Sequence, residues 1–283
     1  MAIVGAYVGF SKVLVAVFPV FLLAGLRFTI AAVAMAPWLM RETNFPPIDA
    51  RTRRLLFLES FLGNFLFSVC MLYGMLHATA ISAGVVMAAI PAAVALLSRV
   101  FLKEPLSPRM LIAIALAVVG VATLAITRTH AGTDTQETMS LVGIALLLGA
   151  VICEASYVVI GKKLTGNVSP KRISALINLW GLALVAPFAI WQALSFDFSV
   201  PSAGIWGGLV LYAIAASMAT VWLWMTGLKS VPAARAGIFT VFLPIASALV
   251  GVVFLGEQFS AAHVVAFAFA ISAVVLATWP ARK

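Results

Sequence analysis

Three charged side chains stand inside stretches that are otherwise apolar: Lys12, Arg27 and Glu154. A charge at membrane depth costs roughly 2.5 to 3.5 kcal/mol on insertion scales, so it is normally paired or turned toward water. Two chemistries fit these residues. In one, the cations attract a substrate carboxylate while Glu154 meets an ammonium or carries a proton. In the other, Lys or Arg pairs with Glu154 and locks helices together. Arg27 reads as structural, its long side chain snorkelling or bonding a neighbouring carbonyl.

A second polar group lies along NFLFSVCMLYGMLHATAIS, with Asn64, Ser68 and, more loosely, Tyr73 on one helical face and His77 at a tight turn. A lone histidine near a helix end more often bonds across an interface than relays protons. Tyr157, Trp180 and Trp222 lie deep enough to stack a planar ligand or hold a cation, or simply to pack. Trp38, Trp191, Trp206 and Trp279 fall near the ends of apolar runs, where aromatic belts form. Glu59 follows Arg51, Arg53 and Arg54 and is expected to make a surface ion pair with them. Cys70 and Cys153 have no CxxC spacing and read as packing residues. His77, His130 and His263 are scattered and Asp49, Asp134 and Asp197 sit in loops, which leaves an intramembrane enzyme without a base, an acid pair or a metal cluster. No cofactor is called for.

The elements that must hold these residues follow from composition. The chain is 64% hydrophobic and 10% charged, whereas a soluble domain carries about 25% charged residues. It reads as an all-α integral membrane protein with spans near 2–17, 20–40, 54–76, 78–100, 107–127, 140–163, 170–194, 204–227, 231–254 and 260–279. The polar run RTHAGTDTQETMS, Arg128 to Ser140, is a connector. No removable leader precedes the first span, which reads as short and retained.

The chain also repeats itself. Glu104 lies thirteen positions after Pro91, and Glu257 thirteen after Pro244. Tyr7, Lys12 and Leu14 match Tyr157, Lys162 and Leu164, and Pro19 falls opposite Pro170, with offsets of 150 to 153 positions. Residues 1–130 and 131–283 thus read as two five-helix repeats, and five being odd, the second is inverted. With the amino terminus inside, 15 of 18 basic residues fall on or near the inner side, which places both termini in the cytoplasm. Pro91 and Pro244 are expected as mid-helix kinks suited to hinging. Glu104 and Glu257 read as structural elbows ahead of the caps Ser107 and Ser260. Gly5–Gly9 and Gly204–Gly208 offer small faces for close helix packing.

These features resemble the drug/metabolite transporter superfamily, and more narrowly its EamA-type exporters. The likeness rests on the duplicated unit, on Lys12, on RFTIAAVAM and on ATAISAGVVMAAIPAAVALLSRVFLKEPLS with its second-half counterpart. Amino-acid exporters of the YddG type are the nearest match. The resemblance implies a ten-helix basket in the bacterial inner membrane with a cavity lined by spans 1, 3, 4, 6, 8 and 9. It also implies Lys12, Asn64, Tyr73, His77, Glu154, Tyr157 and Trp222 as substrate-binding residues. The expected function is export of aromatic or other amino acids by alternating access, as a monomer among membrane lipids and without nucleic acid. Drugs, nucleosides or other metabolites are alternative cargoes, and a channel is the alternative class. No GxxxxGK[ST] motif is present to support direct ATP hydrolysis.

Overall fold

The computed structural model describes residues 1–40, 47–102, 108–130, 140–230, 242–257 and 261–278, and every regular element among them is helical. In chain order these are α1 (Ala2–Val15), α2 (Val20–Met40), α3 (Ala50–Leu76), α4 in two pieces (Ala80–Met87 and Ile90–Leu102) and α5 (Pro108–His130). The second half follows with α6 (Leu141–Leu164), α7 (Pro170–Ala193), α8 (Ala203–Ser230), α9 (Phe242–Leu255) and α10 (Ala261–Thr278). Six of them, α2, α3, α4, α6, α7 and α8, are long and apolar enough to cross a membrane, and shorter apolar helices lie within the other four. Glu104, Ser107, Asp134, Ser260 and Trp279 lie outside the described residues.

Side-chain caps start the helices where the sequence supplies a short polar residue. Asp49 accepts from Thr52 N–H at 3.3 Å and Ser140 from Gly143 N–H at 3.0 Å. Ser169 and Ser202 do the same at α7 and α8, with Pro170 in the first helical position where no N–H is missed. The bond from Thr52 holds the exposed Asp49 carboxyl below the ordinary aspartate range.

Several irregularities recur at the repeat offset. A π-helical turn interrupts α3 at Phe61–Leu66, and another interrupts α8 at Ile214–Ala219, 153 positions later. Pro37 inside α2 and Pro187 inside α7 are 150 positions apart.

The two halves interleave. The heaviest packing includes α2 against α7, α5 against α10, α1 against α9 and α3 against α6, each pair drawn from both halves. Gly5 and Gly9 explain how closely α1 lies on α9: a Cβ at Gly5 would run into the Leu243 carbonyl oxygen, and one at Gly9 would stand 2.8 Å from Val250 Cγ1. The small-residue reading therefore holds for this pair. At Gly208 a Cβ meets the Phe10 ring at 3.0 Å, but at Gly204 only Ser202 Oγ is near, at 3.8 Å. Polar side chains tie helices together: Asn178 Nδ2 donates to Phe28 O at 2.9 Å, and Ser60 Oγ and Asn64 Nδ2 both donate to Ile177 O, at 2.6 and 2.8 Å. The outside is apolar, with Val33, Leu211 and Phe254 largely exposed, as a chain dissolved in lipid requires.

α4 breaks at Ala88 and Ala89, in the turn before Pro91, where a proline ring crowds the carbonyl four residues back and leaves it without its donor; Ala88 N–H closes back on Gly84 O and Val85 O at 3.0 and 3.2 Å. Pro91 then sits in the first turn of the second piece, where its missing donor costs nothing. Pro244 lies in the first described turn of α9, and the stretch before Phe242 is outside the described residues.

Candidate functional site

A cavity of about 300 Å³ opens between α1, α2, α3, α6, α8 and α9. The π-helical turns contribute to it from two sides, Gly63 and Asn64 from α3, Ala216 and Ser217 from α8. Such a turn widens the backbone locally and re-aims the side chains that follow, here Phe67 on α3 and Thr220, Val221 and Trp224 on α8. Gly63 itself is pressed against the Tyr157 ring, where a Cβ would stand 2.5 Å from Cδ2.

The cavity holds charges of both signs. Arg27 enters from α2, buried, with Nη2 donating to Ser68 Oγ at 2.6 Å and the guanidinium 4.3 Å from the centre of the Phe28 ring. Its Nε has no hydrogen-bond partner. Glu154 enters from α6. Tyr7 and Tyr157 face the cavity from α1 and α6, and Tyr7 packs edge-on to Tyr212 at 5.5 Å. Tyr157 Oη, Ser217 Oγ, Thr220 Oγ1 and Trp224 Nε1 are buried without partners. Unpaired polar atoms around a hollow are what a ligand with several hydrogen-bonding groups requires.

Of the residues expected at the site, Asn64, Glu154 and Tyr157 line the cavity. Lys12 does not; its Nζ stands 3.5 Å from Glu257 Oε1. Tyr73 packs edge-on against Phe21 at 5.9 Å and Trp222 against Trp38 at 6.0 Å. His77 lies at the end of α3, where its carbonyl accepts from Ser140 N–H at 3.1 Å. None of these three is among the lining residues, and Trp180 is turned onto Phe57. The expected lining by span 4 is replaced by α2, because the paired α2 and α7 bring Arg27 inward.

Arg27, read as structural, is held by Ser68 and the Phe28 ring and also lines the cavity. Its signal was present: the only arginine inside α2, it is followed by the aromatic that cradles it. Ser217, Thr220 and Trp224 carried no signal, since their inward aim depends on the π turn that holds Ser217 and precedes the other two.

Glu59 overturns the surface ion-pair reading. It is fully buried, neither oxygen has a hydrogen-bond partner, and a Cβ at Gly161 would stand 2.8 Å from its Oε1. Thr52 is buried on the same helix while Arg51, Arg53 and Arg54 are exposed, so the basic cluster and Glu59 occupy different faces. Among the described residues no three His, Cys, Asp or Glu side chains gather as a metal site.

The sequence model described as "EamA-like transporter family" matches residues 1–126 and 141–279. The chain is 37% identical over 275 residues to the uncharacterized transporter YetK of Bacillus subtilis (strain 168), covering 97% of this chain and 83% of that one. It is 21% identical over 248 residues to the uncharacterized transporter YyaM of the same organism, covering 87% and 80%. A solved structure titled "Crystal structure of protein" superposes with a TM-score of 0.62 at 20% identity, over 97% of this chain and 96% of that one, a likeness of fold.

Proposed function

The chain belongs to the EamA-like transporter family, and on that footing we propose that it exports small zwitterionic metabolites, amino acids above all, by alternating access. Its relatives are named transporters, which are not enzymes. One observation carries the cargo: a single cavity of about 300 Å³ holds both Arg27 and Glu154. That volume is at the lower end of small-molecule sites. A carboxylate pairs with the guanidinium, an ammonium with Glu154, and the side chain lies among Tyr7, Phe67, Tyr157 and Trp224. Cationic dyes would leave Arg27 unpaired at a cost, and nucleosides would leave both charges so.

The proposed carrier is a monomer with ten crossings in two inverted repeats of five, both termini cytoplasmic, in a bacterial inner membrane. Supporting this are the paired π turns and prolines at the repeat offset, the exchange of partners across the halves, and the basic residues near the inner ends. Such a repeat gives two nearly equivalent conformations, one open to each side.

The test uses purified full-length protein in liposomes loaded in turn with amino acids, nucleosides and cationic dyes, with exchange of each measured. The expected result is exchange of amino acids, strongest for those with large apolar side chains. Exchange restricted to dyes would overturn the cargo and leave the architecture standing.

A further inference from the structure

Glu257 holds together a second polar cluster, toward the other end of α1 from the cavity mouth. Its carboxylate accepts the backbone N–H of Ala80 at 2.8 Å and of Ile81 at 3.0 Å, and Lys12 Nζ stands 3.5 Å from Oε1. Thr79 Oγ1 accepts the next N–H, that of Ser82, at 3.0 Å. The first three amides of α4 have no partner within the helix, and here all are satisfied, two of them by an acid from the opposite half of the chain. The bonds are charge-assisted and lie at the positive end of the helix.

The chain is shaped to aim this carboxylate. After α9 ends at Leu255, Gly256 takes φ +66° and Glu257 N–H returns to Gly251 O at 2.9 Å. The side chain folds back over Gly251, where a Cβ would stand 2.6 Å from Oε2. Ser247 Oγ adds a bond to Ala80 O at 2.7 Å.

Met1 at the start of α1 and Leu228 near the end of α8 line the cavity, whereas Lys12, Ala80, Ile81 and Glu257 do not. Lys12 lies five residues beyond Tyr7, roughly 8 Å along the axis. One carboxylate therefore joins α1, α4 and α9 past the inner end of the cavity.

We propose that Glu257 is a latch that keeps this end of the bundle closed, and that its release from α4 and Lys12 opens it. This rests on the alternating-access reading, so the test reads accessibility and needs no substrate. Lys162 and Glu104 are the sequence counterparts of Lys12 and Glu257.

Single reporter cysteines are placed at Ala78, buried just before α4, and at Leu228, on the cavity, in the Cys70→Ala/Cys153→Ala full-length protein in detergent micelles. Modification by a water-soluble maleimide is timed. Glu257→Gln and Lys12→Met are each expected to speed labelling at Ala78→Cys roughly tenfold and to slow it at Leu228→Cys, the size of a typical coupling between two states. Unchanged rates at Ala78→Cys overturn the latch, and so does faster labelling at both ends, which signals general loosening. If Glu257→Gln fails to fold, Lys12→Met decides alone, since it leaves the helix cap in place. Opposite shifts at the two ends without amino-acid exchange sustain the latch and count against the cargo.

Discussion

Tyr7 and Tyr157, 150 positions apart in the sequence, face the same cavity from α1 and α6. Lys12 and Lys162 are a repeat pair of the same spacing: Lys12 meets Glu257, and Lys162 donates to Leu228 O at 2.8 Å.

Replacing Arg27 with Gln removes the cavity's cation while leaving a donor near Ser68. Amino-acid exchange in liposomes is expected to fall about tenfold or more, chiefly through a higher KM, because a bound carboxylate then lacks its counter-charge. Exchange at the parent rate would show that Arg27 is structural after all.

Glu154→Gln tests the opposite pole. If Glu154 also carries a proton, accumulation driven by a pH gradient stops while exchange at equal pH persists. Equal loss of both would assign Glu154 to binding alone.

Glu59→Gln is expected to leave the thermal midpoint in detergent unchanged or raise it. No ion pair with Arg51, Arg53 or Arg54 is lost, and a buried group without partners gains a neutral isostere. A clear drop in the midpoint would show that the carboxyl has a partner.

Gly9→Leu pushes α1 off α9 at Val250. Overpacking of this kind costs about 1 to 3 kcal/mol, seen as a lower thermal midpoint. Gly204→Leu, where only Ser202 Oγ is near, is the matched control and is expected to be silent.

The helices and the packing face of Gly5 and Gly9 were legible because each is carried by a local pattern: apolar length, and small residues at i and i+4. Asn64, Glu154 and Tyr157 were placed at the cavity by their span membership in the family the sequence resembles, and they line it. Arg27 lines the cavity and Lys12 does not, since which cation meets the hollow depends on how α2 and α1 pack on the other half. Tyr73 and Trp222 were placed by span membership, which fixes depth but not the face of the helix. The π turns depend on tertiary packing, and no residue type announces them, whereas the break in α4 falls in the turn before Pro91, where a proline disrupts a helix.

Counterflow of a labelled amino acid tests the central claim most directly: that one cavity with Arg27 and Glu154 is offered alternately to each side. In liposomes holding the full-length protein and an excess of unlabelled amino acid inside, the label should accumulate transiently, with saturation, and the Arg27→Gln variant should lose the effect. Absence of counterflow together with large unitary currents across a planar bilayer would contradict it, since a passage open at both ends needs no alternation.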